Sequence, residues 1–198
     1  WFGGMGIIVL SLAILPLLGV GGMQLFRAEV PGPQKDRLTP RIANTAKVLW
    51  GVYVLFTVAE ILLLRLGGVS FFEAICHTFT TMSTGGFSTR TASIAGFNST
   101  YVECVIIIFM FLAGVNFALH YSALRGRLNR YWKDGEFLFF LSVMGAGVGL
   151  VAINLRPYYD DAFTALRHAA FQVVSIGTTT GYCTQDFDVW PTLSRMVL

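Results

Sequence analysis

Charge is scarce in this chain. Asp, Glu, Lys and Arg make up 13% of its 198 residues, about half the share of a soluble globular domain. A surface of ordinary soluble character is thereby excluded. Cysteine is equally sparse: Cys76, Cys104 and Cys183 stand singly, without the paired spacing that marks zinc or redox sites. His77 beside Cys76 is the nearest approach to a metal pair, but adjacent helical residues point about 100° apart and rarely share one ion. No H-E-x-x-H and no G-x-S-x-G occurs, so the usual motifs of a membrane enzyme are missing. Acids are also absent between Thr80 and Ala95, which argues against calcium or magnesium there, since both ions recruit Asp or Glu.

What the chain has instead is apolar length. Hydrophobic residues reach 55% and mean hydropathy is +0.64. Residues 2–26, 48–64, 104–124 and 137–155 are nearly or wholly free of formal charge, with Glu60 the exception in the second. A helix of ~20 residues rising 1.5 Å each crosses a ~30 Å hydrocarbon core, so these stretches qualify or come close. The chain opens at Trp1 without a methionine and ends in an apolar run from Trp190, so it reads as an excerpt of a longer protein. The lipid bilayer is its expected surrounding.

Of 14 Lys and Arg, nine fall in two linkers: Arg27, Lys35, Arg37, Arg41 and Lys47, then Arg125, Arg127, Arg130 and Lys133. The positive-inside tendency makes these linkers cytoplasmic. A nucleic-acid partner is not expected, because no aromatic-basic module accompanies the charges. Pro31-Gly32-Pro33 and Pro40 break helix in the first linker, and Pro16 kinks the first apolar stretch. Gly3-Gly4, Gly21-Gly22, Gly145, Gly147 and Gly149 suit close helix approach.

A repeat organises the rest. Unit one runs from a spanning stretch (41–66) through a short stretch (70–82) and a hairpin (83–89) to a spanning stretch (101–124). Unit two repeats the order: 136–155, 161–176, a hairpin at 177–184 and a truncated stretch from 190. At an offset of 95, Ala74 meets Ala169, Thr84 meets Thr179, Gly86 meets Gly181 and Thr89 meets Thr184. Ser83 opposite Thr178 and Phe87 opposite Tyr182 are close replacements.

The short stretches predict helices with definite starts: Ser70-Phe71-Phe72-Glu73 fits a capping box, and Asp160 and Asp161 suit the second start. Thirteen residues cover only ~20 Å, so such a helix dips into the bilayer and the chain must return. The hairpin then sits at the negative end of a half-helix dipole, where a cation is favoured. Irregular backbone at that depth survives where protein or water lines it, and its carbonyls suit a dehydrated monovalent cation. Gly86 and Gly181 are candidates for backbone conformations that β-branched residues resist.

Other polar groups have more than one reading. Asp186 and Asp188, just past the second hairpin, either concentrate cations at a mouth or are solvated loop acids. Glu60 and Glu103 lie near the outer ends of spans; Glu60 either pairs with Arg65, attracts cations or snorkels to the interface. Asn116 and His120, four apart on a predicted helix, share one face for packing or a hydrogen bond.

The runs Trp1-Phe2-Gly3-Gly4-Met5-Gly6-Ile7-Ile8-Val9, Gly19-Val20-Gly21-Gly22-Met23-Gln24-Leu25 and Pro31-Gly32-Pro33 resemble the TrkH/TrkG potassium-uptake proteins of bacteria. Gly85-Gly86-Phe87-Ser88-Thr89 and Thr180-Gly181-Tyr182 extend the resemblance over the whole chain. It implies an all-α integral membrane fold of four membrane helix–pore helix–filter loop–membrane helix repeats, potassium-channel-like and pseudo-fourfold. On that plan residues 1–40 are the inner helix of repeat one and its linker, 41–134 are repeat two, and 135–198 are repeat three up to the start of its second helix. The resemblance implies that Ser83, Thr84, Gly85 and Gly86 form one quarter of a potassium filter and Thr178, Thr179, Thr180 and Gly181 another. It also implies a homodimer in the bacterial inner membrane, hairpins toward the periplasm, a cytosolic TrkA-type nucleotide-binding regulatory subunit, and a gating loop beyond Leu198. The alternatives are a less selective potassium/sodium pathway, or a secondary transporter with broken helices. The latter predicts an inverted repeat, whereas both units here run the same way.

Overall fold

The computed structural model describes residues 1, 3, 4 and 39–198, the side chains of 39–46 excepted. The readings made for residues 5–38, including the kink at Pro16 and the breaks at Pro31 and Pro33, lie outside the described residues. Among the described residues the chain is all-helical, without strands. The first long helix, α1, is Thr39–Leu66, and its apolar portion Lys47–Leu66 is long enough to span a bilayer. Pro40 does not break it. It occupies the first turn, where the missing N–H has no intrahelical acceptor to lose. The helix stops at Gly67-Gly68, where Gly68 takes φ +82°, and Arg65 closes the end by donating to the Val69 carbonyl at 2.8 Å.

The short helix α2, Phe71–Met82, starts as the capping box predicts, with the Ser70 hydroxyl accepting from the Glu73 amide. Glu73 is also held by the Ser70 hydroxyl and by Arg90, each at 2.8 Å. The hydrogen bond from the Arg90 guanidinium leads in pulling its carboxyl down to about 2. At 12 residues α2 covers only ~18 Å and cannot span. A 3-10 turn, Ser93–Phe97, then leads to α3, Thr100–Ala113, capped by Ser99.

Here the structure corrects the sequence reading. The stretch 101–124 is two helices, α3 and α4 (Phe117–Leu124), bent by 104°. Asn116 starts α4 by accepting from the Ala118 amide at 3.0 Å. The Leu112 carbonyl takes the Val115 amide and, at 2.9 Å, the His120 Nε2–H. A side chain added at Gly114 would lie 2.9 Å from Thr178 Cγ2 and 3.2 Å from Phe140, so the close fit of unit two falls at the bend. Asn116 is exposed and His120 buried, so the two share no face. His120 is a hydrogen-bonded packing residue, its Nδ1 accepting from the Tyr131 hydroxyl at 2.6 Å.

A short helix, α5 (Asn129–Lys133), leads into the second spanning helix α6, Gly135–Leu155. Then comes α7, Ala162–Gly177, capped by Asp161, whose carboxylate accepts from the Thr164 amide; Asp161 rather than Asp160 serves as the cap. The last described helix is α8, Thr192–Val197. Of Gly145, Gly147 and Gly149 in α6, Gly147 makes a close approach, since a Cβ at that position would stand only 3.1 Å from Val173, while Gly145 and Gly149 face open space.

Each short helix packs on the long helix of its own unit, α2 on α1 and α7 on α6, and α3 packs on α7 across the units. The larger core mixes both units: Phe171, Val174 and Tyr182 lie with Tyr53, Ile106 and Met110. Glu103 of α3 and Arg167 of α7 form an ion pair at this seam, with side chains 8% and 14% exposed. Removing one member of so buried a pair costs about 3 kcal/mol, because the other charge is stranded. Arg167→Met should therefore lower the thermal midpoint of the detergent-solubilised full-length protein. Adding Glu103→Gln should restore most of the loss, which a two-by-two melting series checks.

Candidate functional site

The two hairpins share their backbone conformation residue for residue. Ser83 has φ −91°, ψ 2° and Thr178 φ −92°, ψ 2°. The next residues, Thr84 and Thr179, are left-handed at φ +51° and +60°. Gly85 and Thr180 return to negative φ, and Gly86 and Gly181 are left-handed again at +66° and +83°. The glycines stand where the sequence placed the need for them. The threonines do not fit that rule. A β-branched residue at positive φ is a true outlier and costs on the order of 1–3 kcal/mol. Such strain persists where surrounding bonds over-determine it.

Those bonds are also repeated at the offset of 95. The Thr84 and Thr179 amides donate to the carbonyls of Thr81 and Ile176 at 3.0 and 2.9 Å. The Gly85 and Thr180 amides donate to Thr80 and Ser175 at 2.7 and 2.8 Å. The Ser83 and Thr178 hydroxyls donate back to Phe79 and Val174 at 2.9 and 2.7 Å. Further out, the Thr80 hydroxyl donates to the Phe87 carbonyl at 2.8 Å and the Ser175 hydroxyl to the Tyr182 carbonyl at 2.7 Å. His77 Nε2 accepts from the Ser88 hydroxyl at 2.9 Å, and its counterpart Gln172 reaches Cys183 Sγ at 3.6 Å. The end of each half-helix thus supplies both the acceptors for the turn and the donors for the returning strand.

The hairpins touch each other. A Cβ on Gly86 would stand 1.9 Å from the Thr180 carbonyl oxygen and 3.1 Å from the Gly181 carbonyl carbon, an approach that only glycine allows. The Ala95 amide donates to the Cys183 carbonyl at 3.3 Å, and the Cys183 amide to the Ser93 hydroxyl at 3.2 Å. Tyr182 crosses the seam: its hydroxyl donates to the His77 carbonyl in α2 at 3.0 Å and meets the Thr80 and Thr81 hydroxyls. Phe87, its counterpart, is 77% exposed among the described residues.

The sequence-predicted residues 83–86 and 178–181 are therefore brought together as one paired element. Thr80, Ser175, His77 and Gln172 were missed, although the 95-residue offset could have drawn attention to the first two as matched hydroxyls. The remaining candidates stand elsewhere. Asp186 accepts from the Asp188 amide and caps the 3-10 turn Phe187–Val189, and both acids are exposed. Cys76, Cys104 and Cys183 are free thiols. Glu60 neither pairs with Arg65 nor snorkels: it is 0% exposed on α1, while Arg65 is committed to Val69.

The Tyr182 hydroxyl can be tested alone, because unit one carries phenylalanine at that position and the fold accepts it. Tyr182→Phe should fold, lose about 1 kcal/mol of stability and speed hydrogen exchange at the amides of residues 180–183, read by mass spectrometry on the full-length protein.

Comparison with known proteins follows the same lines. The family model TrkH, described as a cation transport protein, matches residues 1–198. The chain is 50% identical over 202 residues to the Trk system potassium uptake protein TrkH of Salmonella typhimurium (strain LT2), covering 100% of this chain and 42% of that relative. It is 40% identical over 198 residues to the Trk system potassium uptake protein TrkG of Escherichia coli (strain K12), covering 97% of this chain and 40% of the relative. Among solved structures, the crystal structure of the potassium transporter TrkH from Vibrio parahaemolyticus matches with a TM-score of 0.80 at 38% identity, covering 100% of this chain and 40% of that one. The chain thus spans about two fifths of the length of these relatives. With a family match from end to end and a solved relative sharing its all-helical membrane fold, the chain belongs to the TrkH family of cation transport proteins.

Proposed function

We propose that this chain is part of the membrane-spanning subunit of a Trk-type potassium uptake system, and that residues 83–86 and 178–181 are two adjacent quarters of its selectivity filter. The observation that carries the reading is the alternation of φ, negative then positive twice over, in both hairpins. Alternating handedness turns successive peptide planes the same way, so a row of carbonyls can face one cation path. The C-terminal ends of α2 and α7 meet these hairpins, and their dipoles add negative potential there. The names of the relatives supply the ion.

On this reading residues 1–40 close repeat one, 41–134 form repeat two and 135–198 open repeat three of a pseudo-fourfold ring. Contacts at the seam suit it. The rotation that sets Tyr182 against α2 would set Phe87 against the half-helix of repeat one, and Gly181 against the hairpin of repeat four. Ser83, Thr84, Gly85 and Gly86, with Thr178, Thr179, Thr180 and Gly181, would hold potassium mainly through backbone carbonyls. The protein would lie in the bacterial inner membrane with hairpins toward the periplasm. Its exposed basic linker at Arg125, Arg127 and Arg130 would face the cytosol, where a TrkA-type nucleotide-binding subunit would dock on the homodimer.

The test is potassium uptake by the full-length protein in an uptake-deficient bacterium. Gly86→Ala introduces a methyl group 1.9 Å from the Thr180 carbonyl at a left-handed position, and should cut uptake about tenfold or more, equivalent to ~1.4 kcal/mol, while membrane levels hold. Unchanged uptake and selectivity in both Gly86→Asp and Gly181→Asp would sink the filter assignment.

A further inference from the structure

Glu60 is a fully buried acid that the proposed pathway does not use. It lies in the apolar part of α1 with 0% exposure, and neither carboxylate oxygen has a hydrogen-bond partner among the described residues. A carboxyl sealed from water in this way is unfavourable unless it serves a polar neighbour. Its surroundings are specific. The Thr81 hydroxyl, itself 0% exposed on α2, lies beside it. The Thr81 hydroxyl donates to the His77 carbonyl at 2.8 Å, the acceptor it shares with the Tyr182 hydroxyl, and it meets that hydroxyl at 3.4 Å. The order in space is therefore carboxyl on α1, hydroxyl at the end of α2, then the tyrosine that follows the second hairpin.

Packing alone does not require this acid. At the offset that superposes the hairpins, Ile176 stands where Thr81 stands, and the spanning helix α6 has no ionisable residue between Glu136 and Arg156. Unit two builds the same hairpin, with the same φ alternation, on an apolar wall. The polar wall belongs to unit one, and the hairpin it backs is that of unit two, because Tyr182 crosses the seam.

We propose that Glu60 is a positioning residue for ion selection, acting through Thr81 on Tyr182 to fix the spacing of the carbonyls at residues 178–181. The proposal rests on the reading of those residues as a filter. It predicts an asymmetric filter, in which one quarter is set by a buried carboxyl and the next by apolar packing. A glutamine at position 60 keeps the hydrogen-bonding capacity and should keep the function; a leucine of similar size should not.

The experiment uses the full-length protein in proteoliposomes, with potassium and sodium fluxes measured separately for Glu60→Gln, Glu60→Leu, Thr81→Ile and Tyr182→Phe. Glu60→Leu should change the potassium-to-sodium flux ratio about fivefold, as expected for directly coupled residues, and Glu60→Gln should leave it near wild type. Thr81→Ile, which copies unit two, should reproduce the leucine effect if Glu60→Leu fails to reach the membrane. Combining Glu60→Leu with Tyr182→Phe should add little to either alone. An unchanged ratio in Glu60→Leu or Thr81→Ile at normal membrane levels would overturn the proposal, as would equal effects of glutamine and leucine. Should the wild type carry no potassium, the filter reading fails by itself. Hydrogen exchange at residues 180–183 then decides on Glu60: faster exchange in the leucine but not the glutamine variant upholds positioning, and no change refutes it.

Discussion

Backbone amides and carbonyls inside a bilayer have no water to bond, and an unsatisfied group there costs several kcal/mol. On the proposed reading, much that is particular about this chain follows from keeping two non-helical segments at that depth. The solution is the same twice. A half-helix ends, its last turn accepts the amides of the departing chain, and a hydroxyl one turn back catches the carbonyl of the returning chain. The amides of residues 83–85 and 178–181 are thereby taken by the half-helices, while no amide among the described residues is assigned to the carbonyls of 83–86 and 178–181. A segment rich in free carbonyls and poor in free amides is a ligand for cations and not for anions. The strain at Thr84 and Thr179 is the cost of that imbalance.

Much of this was legible in the sequence, and the part that was not has physical reasons. Capping residues Ser70 and Asp161 were readable because a cap is a local event, decided by a side chain and an amide three residues away. Gly86 and Gly181 were readable because left-handed backbone favours glycine. Thr84 and Thr179 were not, since their conformation opposes their own preference and is imposed by bonds to α2 and α7. The bend at residues 114–116 was hidden for a different reason. Hydropathy runs almost unbroken from Cys104 to Leu124, with Asn116 as its main interruption, and an apolar average carries no information about direction. The burial of Glu60 depends on which face of α1 meets α2, and no local signal gives that.

The seam between the units matters more to the site than either unit's own core. Gly86 lies against the Thr180 carbonyl, Tyr182 reaches α2, and α3 lies along α7 with Glu103 on Arg167. Unit two therefore finishes the half-helix of unit one. The strained threonine of each hairpin is held by its own half-helix, while the neighbouring Gly86 and Tyr182 make the contacts across the seam. Phe87 occupies the crossing position in unit one and is 77% exposed among the described residues.

The repeat is close in backbone and loose in side chains, and that difference has a functional meaning. On the proposed filter reading, conformation must match from quarter to quarter, since carbonyls on a common axis have to be spaced alike. The walls behind them need not. Tyr182 against Phe87, Gln172 against His77, Ile176 against Thr81 and Cys183 against Ser88 all exchange polar for less polar groups, or one polar group for another, at positions one layer removed from the carbonyls. A ring built from four identical chains must change all its walls at once with every substitution. A ring encoded as consecutive units can tune one wall at a time. The bend at Gly114 is of the same kind: it brings unit one's own helix to within van der Waals reach of Thr178, at the start of unit two's hairpin. Movement of α4 would therefore be felt first at the hairpin of unit two rather than at both, so the two hairpins differ in how easily they are disturbed.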